Sequence, residues 1–181
     1  MVYNVSIHND ILKCPIPKEI INRKELITEV KRRSDNAFRV KNYKEAELLY
    51  SRCLDINLED SKLYSNRCIT RQYLNKLKEA LDDANNIIRL NPKWEKGYFR
   101  KAQCKKKMQR YKEAIIYFKK CLELTKIDKH KKLIKNYIEE CLKLNETETE
   151  TETENETETN SESTKEYNSS ENKINKSKDN H

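Results

Sequence analysis

This sequence predicts an all-α stack of helical hairpins, and three observations carry that reading. The 181-residue chain holds one glycine, Gly97, and three prolines, too few for a hairpin-rich sheet, whose tight turns draw on glycine at positive φ. The tetrapeptides Tyr43-Lys-Glu-Ala46, Leu77-Lys-Glu-Ala80 and Tyr111-Lys-Glu-Ala114 recur at steps of 34 residues, and self-similarity at such a period marks one supersecondary unit repeated along the chain. Within a unit, Ala46, Leu49, Tyr50, Cys53 and Leu54 fall at i, i+3, i+4, i+7 and i+8, one face of a helix.

Residues 1–26 read as an N-terminal extension in which Pro17 to Asn22 can start a short extra helix. Three units follow, 27–60, 61–94 and 95–128. Their first helices run roughly over Leu26 to Val40, Ser61 to Leu74 and Lys96 to Met108, and their second helices begin at the Lys-Glu-Ala signature. Apolar or small residues keep step through the columns Val30/Tyr64/Tyr98, Tyr50/Ala84/Phe118, Cys53/Ile87/Cys121 and Leu54/Ile88/Leu122. Asn91-Pro92 marks a boundary between units, because proline sits badly inside a helix and biases the residue before it away from helical angles. Leu58 and Lys126 occupy the same column without proline, so those boundaries are less sharply written.

A last hairpin would leave one apolar face uncovered, and the sequence supplies a cap over 129–144. Asp128 is the expected N-cap. Leu133, Ile134, Tyr137, Ile138, Cys141 and Leu142 form one stripe, with Lys131, Lys132, Lys135, Glu139, Glu140 and Lys143 toward water. Residues 145–181 alternate Glu and Thr before turning to Ser, Asn and Lys, a composition with nothing to bury, which predicts a disordered acidic tail.

The chain carries 38 Lys+Arg against 30 Asp+Glu, a net of +8. From Asn145 onward, 4 Lys face 11 acidic residues, a local −7 that leaves +15 on residues 1–144. The body is therefore basic and the tail acidic. Only His8, His130 and His181 are present and no C-x-x-C occurs among the six cysteines, so neither a His-centred catalytic site nor a zinc site is supplied. Neither an enzyme nor a cofactor or metal site is expected. Several of the six cysteines, at 14, 53, 68, 104, 121 and 141, fall on apolar positions of the helical pattern, which predicts reduced, buried thiols. No stretch of about 18 apolar residues and no apolar leader core appears, so the expectation is an intracellular, cytoplasmic protein with no membrane partner.

With Ala46, Ala80 and Ala114 in the small inter-helix column, the 34-residue unit resembles the tetratricopeptide repeat. The resemblance covers three repeats and a capping helix, about two thirds of the chain, and implies an all-α superhelix whose first helices line a concave groove. Its usual small residue in the first helix is Ser34, Cys68 and Ala102 here, and its usual large apolar residue is Ala37, Arg71 and Lys105. The two charged substitutes are expected to snorkel.

Three-repeat arrays of this kind are similar to co-chaperone modules that hold the acidic C-terminal tail, Glu-Glu-Val-Asp, of heat-shock protein 90 or 70 in a carboxylate clamp. The family's pattern is matched at Lys31, Asn66, Lys96 and Arg100, while Asp35 stands where the family has Asn. The resemblance implies that Lys31 and Asn66 take the terminal carboxylate and that Lys96 and Arg100 take the aspartate side chain. Asp35, at about 5 Å, would repel a ligand carboxylate by roughly 3 kcal/mol at an effective dielectric of 20. Weakened binding is therefore expected, by roughly ten- to a hundredfold. The groove floor would also include Lys62, Ile69, Gln72, Tyr73, Phe99, Gln103, Lys106 and Lys107, with Phe99 and Tyr73 placed to grip an apolar side chain. The expected assembly is a monomer bound to the C-terminal peptide of heat-shock protein 90 or 70.

Two other readings compete. In one, the clamp is vestigial and the array is a structural adaptor. In the weaker one, basic runs such as Lys31-Arg-Arg33 and Lys105-Lys-Lys107 bind nucleic acid, but no motif accompanies the charge. The acidic tail, reaching roughly 30 to 36 Å as a flexible segment, could screen the groove.

Overall fold

A computed structural model describes residues 23–147, and within them every regular element is a helix. Six helices alternate in three hairpins: α1 (Arg23–Arg39), α2 (Tyr43–Ile56), α3 (Ser61–Tyr73), α4 (Leu77–Leu90), α5 (Glu95–Lys107) and α6 (Tyr111–Leu124). A seventh, α7, spans 128–147. Each helix packs chiefly on its sequence neighbours, and α3 also meets α5. Among the described residues no helix is long and apolar enough to cross a membrane.

The repeat is written in the backbone as well as in the side chains. All three hairpins turn through a left-handed residue, Lys41, Asn75 and Gln109, at φ of 62°, 58° and 61°. Around the first, Asn42 N–H bonds to Ala37 C=O at 2.8 Å and Lys41 N–H to Phe38 C=O at 3.0 Å. This pairing closes the helix end in a Schellman arrangement. The equivalent bonds recur from Lys76 to Arg71, 2.9 Å, and from Arg110 to Lys105, 3.0 Å. Glycine is the usual occupant of that position, because a Cβ there costs roughly 1–2 kcal/mol while glycine's extra chain entropy returns about half of it. Lys41→Gly and Gln109→Gly are therefore expected to stabilise the protein by about 1 kcal/mol each, with Asn75→Gly gaining less because Asn tolerates this conformation. Thermal unfolding checks this; an unchanged or lowered midpoint in both variants would contradict it.

The apolar columns fill the interior. Ala46, Ala80 and Ala114 are all fully buried, as are Cys53, Ile87 and Phe118. The five cysteines within the described residues are free and buried; burial pushes the Cys53 thiol up to about 11 and Cys121 up to about 12, which keeps them protonated and unreactive. Cys14, the proposed 17–22 helix and the tail beyond 147 lie outside the described residues. Gly97, in α5, permits a close approach to α4: a Cβ there would come within 2.9 Å of Ile88 Cγ1 and 3.3 Å of the Ile88 backbone nitrogen.

Several sequence expectations are corrected. Helix α1 begins at Arg23, inside the segment read as extension, and α7 continues to 147, past the expected end at 144. Asp128 is already helical; the Ile127 carbonyl, one residue earlier, accepts the first α7 bond, from Lys131 N–H at 3.0 Å, and the Asp128 carboxylate instead pairs with the Lys131 ammonium. Of the capping stripe, Ile134 and Cys141 are buried but Leu133 and Leu142 stay about half exposed, at 47% and 46%.

Arg71 and Lys105 do more than snorkel. Arg71 bridges Glu47 at 3.0 Å and Asp83 at 2.9 Å, and the buried Lys105 ammonium pairs with Glu113 at 2.9 Å. Asp83, 1% exposed, also accepts from Arg67 Nε and Nη2, while Arg67 Nη1 reaches Ser51 Oγ at 3.0 Å. Carboxylates on the second helices of the repeats thus neutralise cations standing in an apolar column. Burial pushes the Asp83 carboxyl up, and the two guanidiniums pull it back toward the ionised form.

Candidate functional site

Helices α1, α3 and α5, the first of each hairpin, are joined by side-chain bonds on one face. Lys31 and Asp35, one turn apart on α1, form an ion pair at 2.5 Å. The other oxygen of the same carboxylate, Asp35 Oδ1, accepts from Tyr50 Oη at 2.6 Å and from Asn66 Nδ2 on α3 at 3.3 Å. Next to Asn66, Ser65 Oγ accepts from Arg100 Nε on α5 at 3.4 Å, and Arg100 Nη1 donates to Gln103 Oε1 at 2.9 Å. A chain of polar contacts therefore runs from Lys31 through Asp35 and Asn66, past Ser65, to Arg100.

The two ends of this chain differ in charge balance. At the α1 end the cation of Lys31 is neutralised by Asp35, and Tyr50, buried beside that carboxylate, has its hydroxyl pKa raised by burial and by the neighbouring charge, so it remains a donor. At the α5 end, among the described residues, neither Lys96 nor Arg100 pairs with a carboxylate. Lys96 is exposed and holds its ammonium 5.6 Å over the Trp94 ring. Burial pulls the Arg100 guanidinium below its usual value, opposed by the nearby Cys68 and Cys104 thiols. A half-buried guanidinium without a counter-charge gains from any anion that reaches it.

Lys96 and Arg100 open onto a cavity of about 150 Å³ between α5 and α7, lined also by Glu95, Phe99, Cys121, His130, Leu133 and Ile134. A cavity of roughly this size with an apolar wall admits a benzene-sized group, so it accommodates one aliphatic side chain. Phe99 is fixed there by edge-on packing against Phe118 and Tyr137.

The remaining sequence candidates divide. Lys62 is exposed on the first turn of α3, one turn before Asn66. Tyr73 does not join Phe99: it stacks on Tyr43 at 4.6 Å and meets Phe38 edge-on, at the far end of the inner helices. Gln72 is buried rather than on the groove floor, its amide donating to Cys104 Sγ at 3.2 Å and Cys68 Sγ at 3.5 Å. Tyr50, Ser65, His130 and the α7 residues were not legible as site residues, because each reaches the site only through the packing of another helix. Tyr50 in particular reads as a core column position, which its 2% exposure also makes it.

The family model of the tetratricopeptide repeat matches residues 95–128. Solved structures agree over a longer span: the TPR2B domain of yeast Sti1 in complex with an Hsp70 peptide aligns at TM-score 0.61 and 20% identity, covering 65% of this chain and 96% of that one. Residues 23–147 have the tetratricopeptide-repeat fold, and the repeat itself is matched over 95–128. The first such domain of Spaghetti (RPAP3), bound to the HSP90 peptide SRMEEVD, aligns with it at TM-score 0.59 and 23% identity, over 65% of this chain and 90% of that one. In sequence, the domain is 36% identical to the human DnaJ homolog subfamily C member 7 over 106 residues, 56% of this chain. The chain spans 22% of that relative's length.

Proposed function

We propose that this tetratricopeptide-repeat domain is a peptide-binding module and not an enzyme, and that it takes the acidic C-terminal segment of heat-shock protein 90 or 70, as a co-chaperone does. The observation that carries this is the pair Lys96 and Arg100, neither held in an ion pair among the described residues, on the rim of a largely apolar cavity that Glu95 also lines. Two such cations beside a space for one aliphatic side chain fit a segment such as Glu-Glu-Val-Asp, in which carboxylates flank a valine. Structural neighbours solved with Hsp70 or HSP90 peptides support the same partner class.

Lys31 and Asn66 contribute less than their positions imply, because Asp35 already engages both. Binding is therefore expected to be weak, at the level the remaining cations sustain. Calorimetric titration of the full chain with a decapeptide ending in Glu-Glu-Val-Asp, against a twin in which the acidic side chains are amides, tests the proposal. A preference of about tenfold or more for the acidic peptide at low salt is expected, since each charge-assisted bond is worth roughly 1.5–3 kcal/mol. Equal affinity for the two peptides would sink it. A steep salt dependence shared by any polyanion, nucleic acid included, would instead indicate a general basic surface.

A further inference from the structure

The geometry points to Asp35 as a built-in occupant of the carboxylate seat formed by Lys31, Tyr50 and Asn66, so that the groove reads acidic side chains at Lys96 and Arg100 without requiring a free C-terminal carboxylate, and accepts an acidic segment whose chain continues or ends in an amide. This rests on the peptide-binding reading above and names the ligand class that the same groove takes.

Each of the seat's three donor groups makes a bond to the Asp35 carboxylate. Lys31 Nζ, on α1, meets Asp35 Oδ2 at 2.5 Å, while Tyr50 Oη from α2 and Asn66 Nδ2 from α3 meet Oδ1 at 2.6 and 3.3 Å. Three donors from three helices converge on one carboxylate, which is the donor set a peptide's terminal carboxylate would need. An internal group holds that position against any free peptide, because its effective concentration is set by the chain and not by the solution. Moving Asp35 aside would also leave the Tyr50 hydroxyl, on a side chain only 2% exposed, without its partner, and buried donors are seldom left unpaired.

An incoming α-carboxylate at this end therefore meets a like charge and donors already committed. A continuing backbone or an amide meets the reverse. Asp35 keeps 43% of its side chain exposed, so its carboxylate still offers lone pairs to the groove, and an N–H from the residue that follows the acidic one can donate to them. At α5 no carboxylate, among the described residues, takes this place: Arg100 donates to neutral oxygens, Ser65 Oγ and Gln103 Oε1. One half of the groove thus attracts a carboxylate and the other half attracts an amide.

The test compares three peptides on the full chain by calorimetry: one ending in a free Glu-Glu-Val-Asp, its C-terminal amide, and the same sequence extended by three uncharged residues and amidated. On the native protein the three should bind within about threefold of one another. On D35N, and on D35S as a second variant that also lacks the charge, the free acid should tighten by about tenfold or more while the other two change by less than about threefold. A native protein that prefers the free acid by about tenfold overturns the inference and leaves the peptide-binding reading standing. Binding of the free acid by D35N but of nothing by the native protein supports the filled seat and sinks the reading for the native chain. Absence of binding by every protein overturns both.

Discussion

Asp83→Ala is expected to destabilise the domain by about 3–5 kcal/mol, the usual cost of removing one partner from a buried ion pair. Asp83 is 1% exposed and receives both guanidiniums, Arg67 at 2.7 Å and Arg71 at 2.9 Å. Those arginines are themselves only 15% and 16% exposed, so neither can recover full hydration when the carboxylate is lost. Arg71 would retain Glu47, but Arg67 would keep neutral partners, the Ser51 hydroxyl and the Tyr64 ring. For a domain of this size the loss corresponds to a fall in the thermal midpoint of roughly 10–20 °C. Restoring neutrality should restore stability: adding Arg67→Met to Asp83→Leu converts the pair to packing, and such replacements often cost little or nothing. A drop of less than about 1 kcal/mol for Asp83→Ala, measured by denaturant unfolding, would show that the network is not holding the first and second hairpins together as described.

The second large effect concerns binding. Replacing Lys96 and Arg100 together by alanine is expected to weaken acidic-peptide affinity by about a hundredfold or more, because two charge-assisted contacts of roughly 1.5–3 kcal/mol each are lost at the rim of the cavity. Arg100 should dominate. It is the more buried of the two, it is positioned by Ser65 and Gln103, and it forms the wall of the cavity beside Phe99. Arg100→Lys should fall between, since it keeps the charge and loses the planar fork. Fluorescence anisotropy with a labelled peptide reads these differences, with circular dichroism confirming that the helices persist. Affinity within about twofold of the native protein in Arg100→Ala would remove the α5 rim from the binding surface.

Much of the architecture is legible in the sequence because the repeat enforces it three times over. The Ala46/Ala80/Ala114 column must be small for helices to meet, and it is fully buried throughout; one period of 34 positions every element from α1 to α6. The Lys31–Asp35 contact is equally local, a one-turn spacing on a single helix. What the sequence withholds is the partner from elsewhere in the chain. Nothing in the neighbourhood of Arg71 or Lys105 announces Glu47, Asp83 or Glu113, so two cations in an apolar column read as defects until the second helices are in place. The same limit hides the seat around Asp35: the aspartate is visible as a departure from the family's pattern, but Tyr50 and Asn66 arrive from α2 and α3, and only their arrival turns a repelling charge into an occupied site. At the chain's ends the period gives no anchor, which is why α1 starts earlier and α7 runs longer than expected.

The stacking of the three hairpins has a consequence for how this protein responds to a ligand. In a linear array, distant hairpins communicate weakly, and opening can begin in one without the others. A peptide lying across α1, α3 and α5 would tie the first hairpin to the third, a linkage that the stacking order supplies only through the middle one. Occupancy would then be felt as synchrony: amide protons in all three hairpins would slow their exchange together, including those on helices the peptide never touches.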